Sequence, residues 1–120
     1  MHRLFAIPAL AAALALAPPA ESIGAGVVIN EIMYHPADDR EELQFIELFN
    51  AGTDQADLSG WKLKSVKFFF PADTKLAPGA FLVVCRNRAA FIGNYGQEIA
   101  IAGEFEGRLS RGGELSLIHI

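Results

Sequence analysis

The feature of this sequence that most constrains its fold is a succession of short apolar runs, each closed by glycine, proline, asparagine or aspartate. Runs this short are typical of strands, because a buried helix needs a longer periodic segment. The segment 61–65 alternates large apolar with cationic side chains, which predicts a strand with one face in water. About seven such strands, without a sustained helical period, predict an all-β protein built as an immunoglobulin-like β-sandwich.

The runs of apolar residues give the strand boundaries that we expect. The segment 41–50 carries apolar residues on both faces, which predicts a central strand covered on both sides. One helical turn is expected at 87–95, stopped by Gly93, and Pro71 should end the strand before it. The predicted strands are 27–34, 41–50, 61–65, 68–70, 81–85, 99–101 and 115–118.

The first twenty residues have the pattern of a secretory signal peptide. A basic start at Arg3 is followed by the apolar run 4–17 and then by Pro18, Pro19 and Ala20. The run is shorter than the roughly 20 apolar residues of a transmembrane helix. We therefore predict a signal peptide at 1–20, a linker at 21–26 and one domain at 27–120, with a secreted or cell-surface location; an uncleaved anchor is the alternative.

Charge and cysteine content exclude some classes of protein. Removal of residues 1–20 leaves 9 Lys and Arg against 14 Asp and Glu, a net charge of −5. Such a surface repels phosphate backbones, so nucleic acid is not an expected partner. Cys85 is the single cysteine, which rules out an internal disulfide and requires the core to hold the fold.

Five blocks in a fixed order resemble a known family. They are 28–34 (VINEIMY), 45–50 (FIELFN), 57–63 (DLSGWKL), 76–84 (LAPGAFLVV) and 109–115 (LSRGGEL). Together they are similar to the lamin tail domain in the form found in exported bacterial proteins. The resemblance covers residues 27–115 and implies an immunoglobulin-like sandwich that does no chemistry and often accompanies secreted enzymes.

The family's pattern continues beyond the Gly112-Gly113-Glu114 turn, so the resemblance implies that this chain is truncated at its C-terminus. The last six residues, 115–120, also match one reading frame of a widely used transposon adapter. We therefore expect an incomplete sandwich, and a His119 without biological meaning. Nucleic-acid contacts of nuclear lamin tails are not carried over, because only Lys62, Lys64 and Lys67 are available, and these are expected to form a solvated strand face.

Two groups of carboxylates are candidate sites. One group has hard oxygen ligands suited to calcium, but its spacing matches no calcium loop, which favours a solvated turn. Its members are Asp38, Asp39, Glu41 and Glu42, with Glu31, Glu47 and Asp57 expected nearby. Glu31 and Glu47 could meet on adjacent strands as an acid and base pair. Since no nucleophile or substrate-positioning motif accompanies them, a structural role is favoured.

The remaining chemistry-bearing residues are expected to be structural. Cys85 lies in an apolar run and should be buried and inert. Ser59 and Ser110 occupy glycine-containing turns without the partners of a serine hydrolase, and His35 cannot hold zinc alone. Trp61 is either a sugar-stacking platform or, as favoured by its alternation with Leu63, a core anchor.

These observations predict no catalytic residue, no cofactor and no metal site. We expect a non-catalytic accessory module of a secreted or surface protein that mediates adhesion or protein interaction, or positions a neighbouring domain. The alternative is the N-terminal domain of a larger secreted enzyme, a CotH-like kinase or a hydrolase; a stand-alone carbohydrate or protein binder is a third. The expected partners are protein or extracellular material, with no nucleic acid and no membrane span after signal cleavage.

Overall fold

A computed structural model describes residues 26–109 and the backbone of 117–118. The predicted signal peptide, the linker up to residue 25 and Ser110 lie outside this part of the chain. Within these described residues there are nine strands and one α-helix. They are β1 Val27–Met33, β2 Phe45–Asn50, β3 Ala56–Asp57, β4 Lys62–Leu63, β5 Phe68–Phe69, β6 Lys75–Leu76, β7 Phe81–Cys85, α1 Arg88–Tyr95, β8 Ile101–Glu104 and β9 Leu117–Ile118.

The largest sheet has the strand order β1-β2-β7-β8. Strand β2 pairs antiparallel with β1 on one side and with β7 on the other, and all six of its residues are buried. The prediction of a central strand here is confirmed. Its predicted start at 41 is wrong, because Glu41–Leu43 form one turn of 3-10 helix closed by the Gln44 N–H donating to the Glu41 carbonyl.

Strands β7 and β8 are parallel and are joined through helix α1. Asn87 caps this helix by accepting a hydrogen bond from the Ala90 N–H at 2.8 Å. The expectation that Gly93 stops the helix is wrong; the helix continues to Tyr95 and ends before Gly96, whose φ of 97° favours glycine. The last strand of this sheet is Ile101–Glu104 rather than 99–101, and it pairs with Val83–Cys85 of β7.

Two smaller sheets complete the fold. One pairs β3 with β6, and the other has the order β5-β4-β9. The turn 64–66 joins β4 to β5, and Lys62 lies directly opposite Phe69. The predicted strand at 115–118 is represented by β9, which pairs with β4. The predicted strands at 61–65 and 68–70 are therefore present in shortened form.

The core lies on both faces of the large sheet. One cluster, between this sheet and the two smaller ones, contains Ile46 and Leu48 of β2 together with Trp61, Phe70 and other buried residues. The opposite face packs Phe45, Val83 and Cys85 under Phe91 of helix α1. Alternate residues of β2 thus serve different clusters. Strands in packed sheets with one short helix confirm the all-β prediction. The lamin tail domain, which the sequence resembles, has an immunoglobulin-like fold.

Helix α1 is eight residues long. Among the described residues, no helix has the length and apolar character needed to cross a membrane.

Candidate interaction surface

Glu31 and Glu47, the carboxylates singled out from the sequence, do lie together. They are direct partners in the register between β1 and β2, beside an irregularity at Asn30. The Glu47 side chain is fully buried, and the Asn30 Nδ2 donates to its Oε1 at 2.9 Å. Because no solvent reaches Glu47, a substrate cannot reach it either in this conformation. The Glu47 carboxylate therefore has a structural role in the sheet.

In the acidic turn, residues 38–42, the carboxylates of Glu41 and Glu42 form ion pairs with arginines. Glu41 accepts from Arg86 at 3.0 Å and from Arg108 at 2.8 Å, while Glu42 pairs with Arg40 at 2.9 Å. The hydrogen bond from Arg40 lowers the pKa of Glu42. Residues 26–109 hold no group of three or more His, Cys, Asp and Glu side chains arranged to bind a metal ion.

Asp57 lies apart from that turn and organises another. Its Oδ1 accepts from the Ser59 N–H at 3.0 Å and from the Ser59 Oγ at 2.6 Å, and its Oδ2 pairs with Lys75 at 3.0 Å. These hydrogen bonds, with those from Ser59 the larger, hold the pKa of Asp57 well below its ordinary value. The Ser59 hydroxyl is thereby used in the turn.

Burial agrees with the sequence analysis for three residues: Cys85 and Trp61 are buried, and His35 is exposed. Cys85 is buried and its Sγ contacts the Gly103 carbonyl at 3.7 Å; desolvation raises the pKa of the thiol, as does the nearby Glu104. Trp61 is 5% exposed within the core cluster, which confirms the interpretation as a core anchor. His35 is exposed after β1, with its ring centroid 6.5 Å from that of Tyr34.

Two buried amides were missed by the sequence interpretation. The Gln44 amide donates to the Tyr34 and Leu109 carbonyls at 2.8 and 3.0 Å and accepts from the Leu109 N–H at 3.0 Å. In this way one side chain fastens the end of β1 to Leu109, which lies 65 residues after Gln44 in the chain. A polar residue directly before an apolar strand was the only local sign of this role.

Asn50 has a similar role at the other end of β2. Its Nδ2 donates to the Asp54 and Leu76 carbonyls at 2.9 and 2.8 Å, and its Oδ1 accepts from the Gly52 N–H at 2.9 Å. Its backbone bonds both Ala80 and Gly79. Every hydrogen-bonding atom of the buried Asn50 side chain therefore bonds backbone, in the loop that follows β2 and in strand β6.

The large apolar side chains that face water are few within the described part of the chain. Ile32 and Tyr34 at the end of β1 are 39% and 41% exposed, and Phe69 on β5 is 61% exposed. Exposed apolar groups of this kind are typical of contact surfaces when they lie together or beside complementary charge.

The lysine hairpin, defined as residues 62–69, places such a residue among cations. The Lys62 Nζ lies 5.8 Å from the centroid of the Phe69 ring, and Lys64 and Lys67 are exposed on the same hairpin. The Lys67 N–H and carbonyl each bond Glu106 at 2.9 Å, which joins the hairpin to the chain that follows β8. The expected solvated lysine face is thus a face that also carries the most exposed large apolar side chain of residues 26–109.

Comparison with known proteins gives one result. The sequence model described as Lamin Tail Domain matches residues 20–115, which is most of the chain. No curated protein and no solved structure matches it.

Proposed function

The chain belongs to the lamin tail domain family, a family of non-catalytic immunoglobulin-like domains, and from this premise we propose that it is an interaction module acting in a secreted or cell-surface protein. It binds another protein or extracellular material, or positions a neighbouring domain, and performs no reaction itself. The family match supports an interaction module, and we propose its location and its kind of partner in addition.

The observation that carries the proposal is the contrast between buried polar and exposed apolar groups. The Gln44 and Asn50 amides form hydrogen bonds with backbone groups of the fold, and the Glu47 side chain is buried in the sheet. Large apolar side chains, with Phe69 and Tyr34 foremost, are instead exposed to a second molecule. A surface of this composition favours binding over chemistry.

Export is proposed from the basic, apolar and small-residue order of residues 1–20, which lie outside the described part of the structure. The net charge of the remainder favours solubility and disfavours nucleic acid as the partner.

The proposal is tested in cells that make the protein, with a photo-crosslinking residue placed at Phe69 or at Tyr34. We expect the tagged chain outside the cytoplasmic membrane and a discrete crosslinked adduct from at least one position. The matched control is the crosslinker at Gln97, an exposed polar position, which should give no such adduct. Retention of the chain in the cytoplasm, or the same adducts from all three positions, would contradict the proposal.

A further inference from the structure

The cations of the lysine hairpin differ from four of the five other Lys and Arg residues in the described part of the chain, because they lack carboxylate partners. Arg40, Lys75, Arg86 and Arg108 each form an ion pair, at 2.9, 3.0, 3.0 and 2.8 Å. None of the three lysines, Lys62, Lys64 and Lys67, pairs with a carboxylate within residues 26–109. The hairpin therefore carries three lysines without an ion-pair partner among these residues, on a chain whose net charge is −4.

The same hairpin carries an apolar contact point. Phe69 is 61% exposed, although its neighbour Phe70 is only 2% exposed in the core. Leaving an aromatic ring in water costs hydrophobic free energy, part of which a contact would recover. A partner that brings both negative charge and an apolar group would satisfy both features at once.

The surface beside Phe69 is indented, which suits a peptide segment of a partner better than a flat partner surface. A shallow depression of about 510 Å³ is lined by Lys67, Phe68, Phe69, Glu104 and Glu106. A second, of about 390 Å³, continues past the Lys67–Glu106 bridge toward Lys64. Glu104 and Glu106 also line the first depression, so the acidic groups of a partner would have to meet the lysines rather than this part of it.

From these observations we infer that the lysine hairpin docks a short acidic peptide segment of a partner protein, whose carboxylates meet Lys62, Lys64 and Lys67 while one apolar side chain packs on Phe69. This inference rests on the proposed function and specifies its surface. A peptide is favoured over a long polyanion because the whole chain is negative and repels extended negative charge.

Fluorescence anisotropy with the full chain tests the inference. The probe is a labelled peptide of glutamates with one central phenylalanine, measured at about 0.05 M and about 0.3 M salt. We expect binding that weakens at the higher salt. The triple variant Lys62→Gln, Lys64→Gln, Lys67→Gln should weaken it roughly tenfold, because three exposed ion pairs are lost. Phe69→Ser should weaken it several-fold with this probe, but much less with an all-glutamate probe.

The control variant Arg88→Gln removes a cation that also lacks an ion pair within residues 26–109 but belongs to helix α1, outside the hairpin. It should change the affinity less than about twofold. Three outcomes would overturn the inference: equal binding of wild type and triple variant, an equal loss in Arg88→Gln, or equal binding of a probe with glutamine in place of glutamate. Tighter, hairpin-dependent binding of polygalacturonate or duplex DNA than of the peptide would also overturn it.

These outcomes are separable from failure of the proposed function. Crosslinked adducts from Tyr34 but none from Phe69, with no binding of the acidic probe, would leave an interaction module whose contact surface is the end of β1. Absence of adducts from both positions, with a cytoplasmic location, would remove the function and the inference together.

Discussion

Strand β2 and the lysine hairpin both alternate in the character of their side chains, but they experience different surroundings. Strand β2 has neighbours on both edges and packed layers on both faces, so all six residues are buried, including Glu47 and Asn50. The hairpin has one face in the core, through Leu63, and one face in water, through Phe69. Polar groups in the first region stabilise the fold, whereas polar and aromatic groups in the second remain available for binding.

The largest expected contrast is between two adjacent residues of the hairpin region. Phe70→Ala should lower the free energy of unfolding by about 3–5 kcal/mol, because it opens a cavity in the main core cluster. Phe69→Ala, the control, should change it by less than about 0.5 kcal/mol. Urea unfolding followed by the fluorescence of Trp61, the single tryptophan, measures both. Similar losses in the two variants would show that the hairpin has no free face.

At the end of β2, Asn50→Ala removes three hydrogen bonds to backbone, two in the following loop and one in β6, and leaves their partners without acceptors or donors. We expect a loss of about 3 kcal/mol in the free energy of unfolding. Asn94→Ala, on the exposed side of helix α1, is the matched control and should be neutral. A neutral Asn50→Ala would mean that water replaces the amide at this site.

The contact between the hairpin and the large sheet can be tested at Gly103. A Cβ there would lie 2.8 Å from Cε1 of Phe68, so Gly103→Ala should cost about 1–3 kcal/mol. Adding Phe68→Leu to Gly103→Ala should relieve part of this cost in a double-mutant cycle. Gly93→Ala is the control, since nothing lies near its Cβ in the helix, and it should stabilise slightly. Equal effects of the two alanines would exclude close packing at Gly103.

The smallest effect is expected from the exposed carboxylate of Asp57, and it depends on pH. The pKa of Asp57 is lowered in the folded chain by Ser59 and then Lys75, so its contribution to stability is present above its ordinary value of 3.8 and is lost as pH falls below it. Wild type should therefore lose stability on acidification more steeply than Asp57→Asn. Urea midpoints between about pH 3 and pH 7 measure this difference. Parallel curves for the two proteins would contradict the assignment of the lowered pKa.

Much of the strand pattern was predictable because it depends on neighbours in the sequence. The run Phe81–Cys85 is too short for a buried helix, and both its strand conformation and the burial of Cys85 follow. The face of Trp61 was predictable from its alternation with Leu63. The expectation for Gly93 failed because glycine only weakens a helix, whereas the left-handed Gly96 ends one.

The candidate interaction surface was less predictable from the sequence. The three lysines were recognised as a strand face, but their lack of carboxylate partners within the described residues depends on where distant acids lie. Glu41 is occupied by Arg86 and Arg108, and Asp57 by Lys75, which are contacts between residues far apart in the chain. The exposure of Phe69 next to the buried Phe70 likewise follows from which face of β5 meets the core.

The sequence by itself determined the all-β architecture, the central position of β2 and the burial of Cys85 and Trp61, because periodicity and turn residues act over a few neighbouring positions. Only the tertiary structure decided the parallel pairing of β8, the placement of Glu47 beside Glu31 inside the sheet, and the fastening of Leu109 by Gln44. Each of these depends on strand order and register, which join residues distant in the chain and leave no local periodic signal.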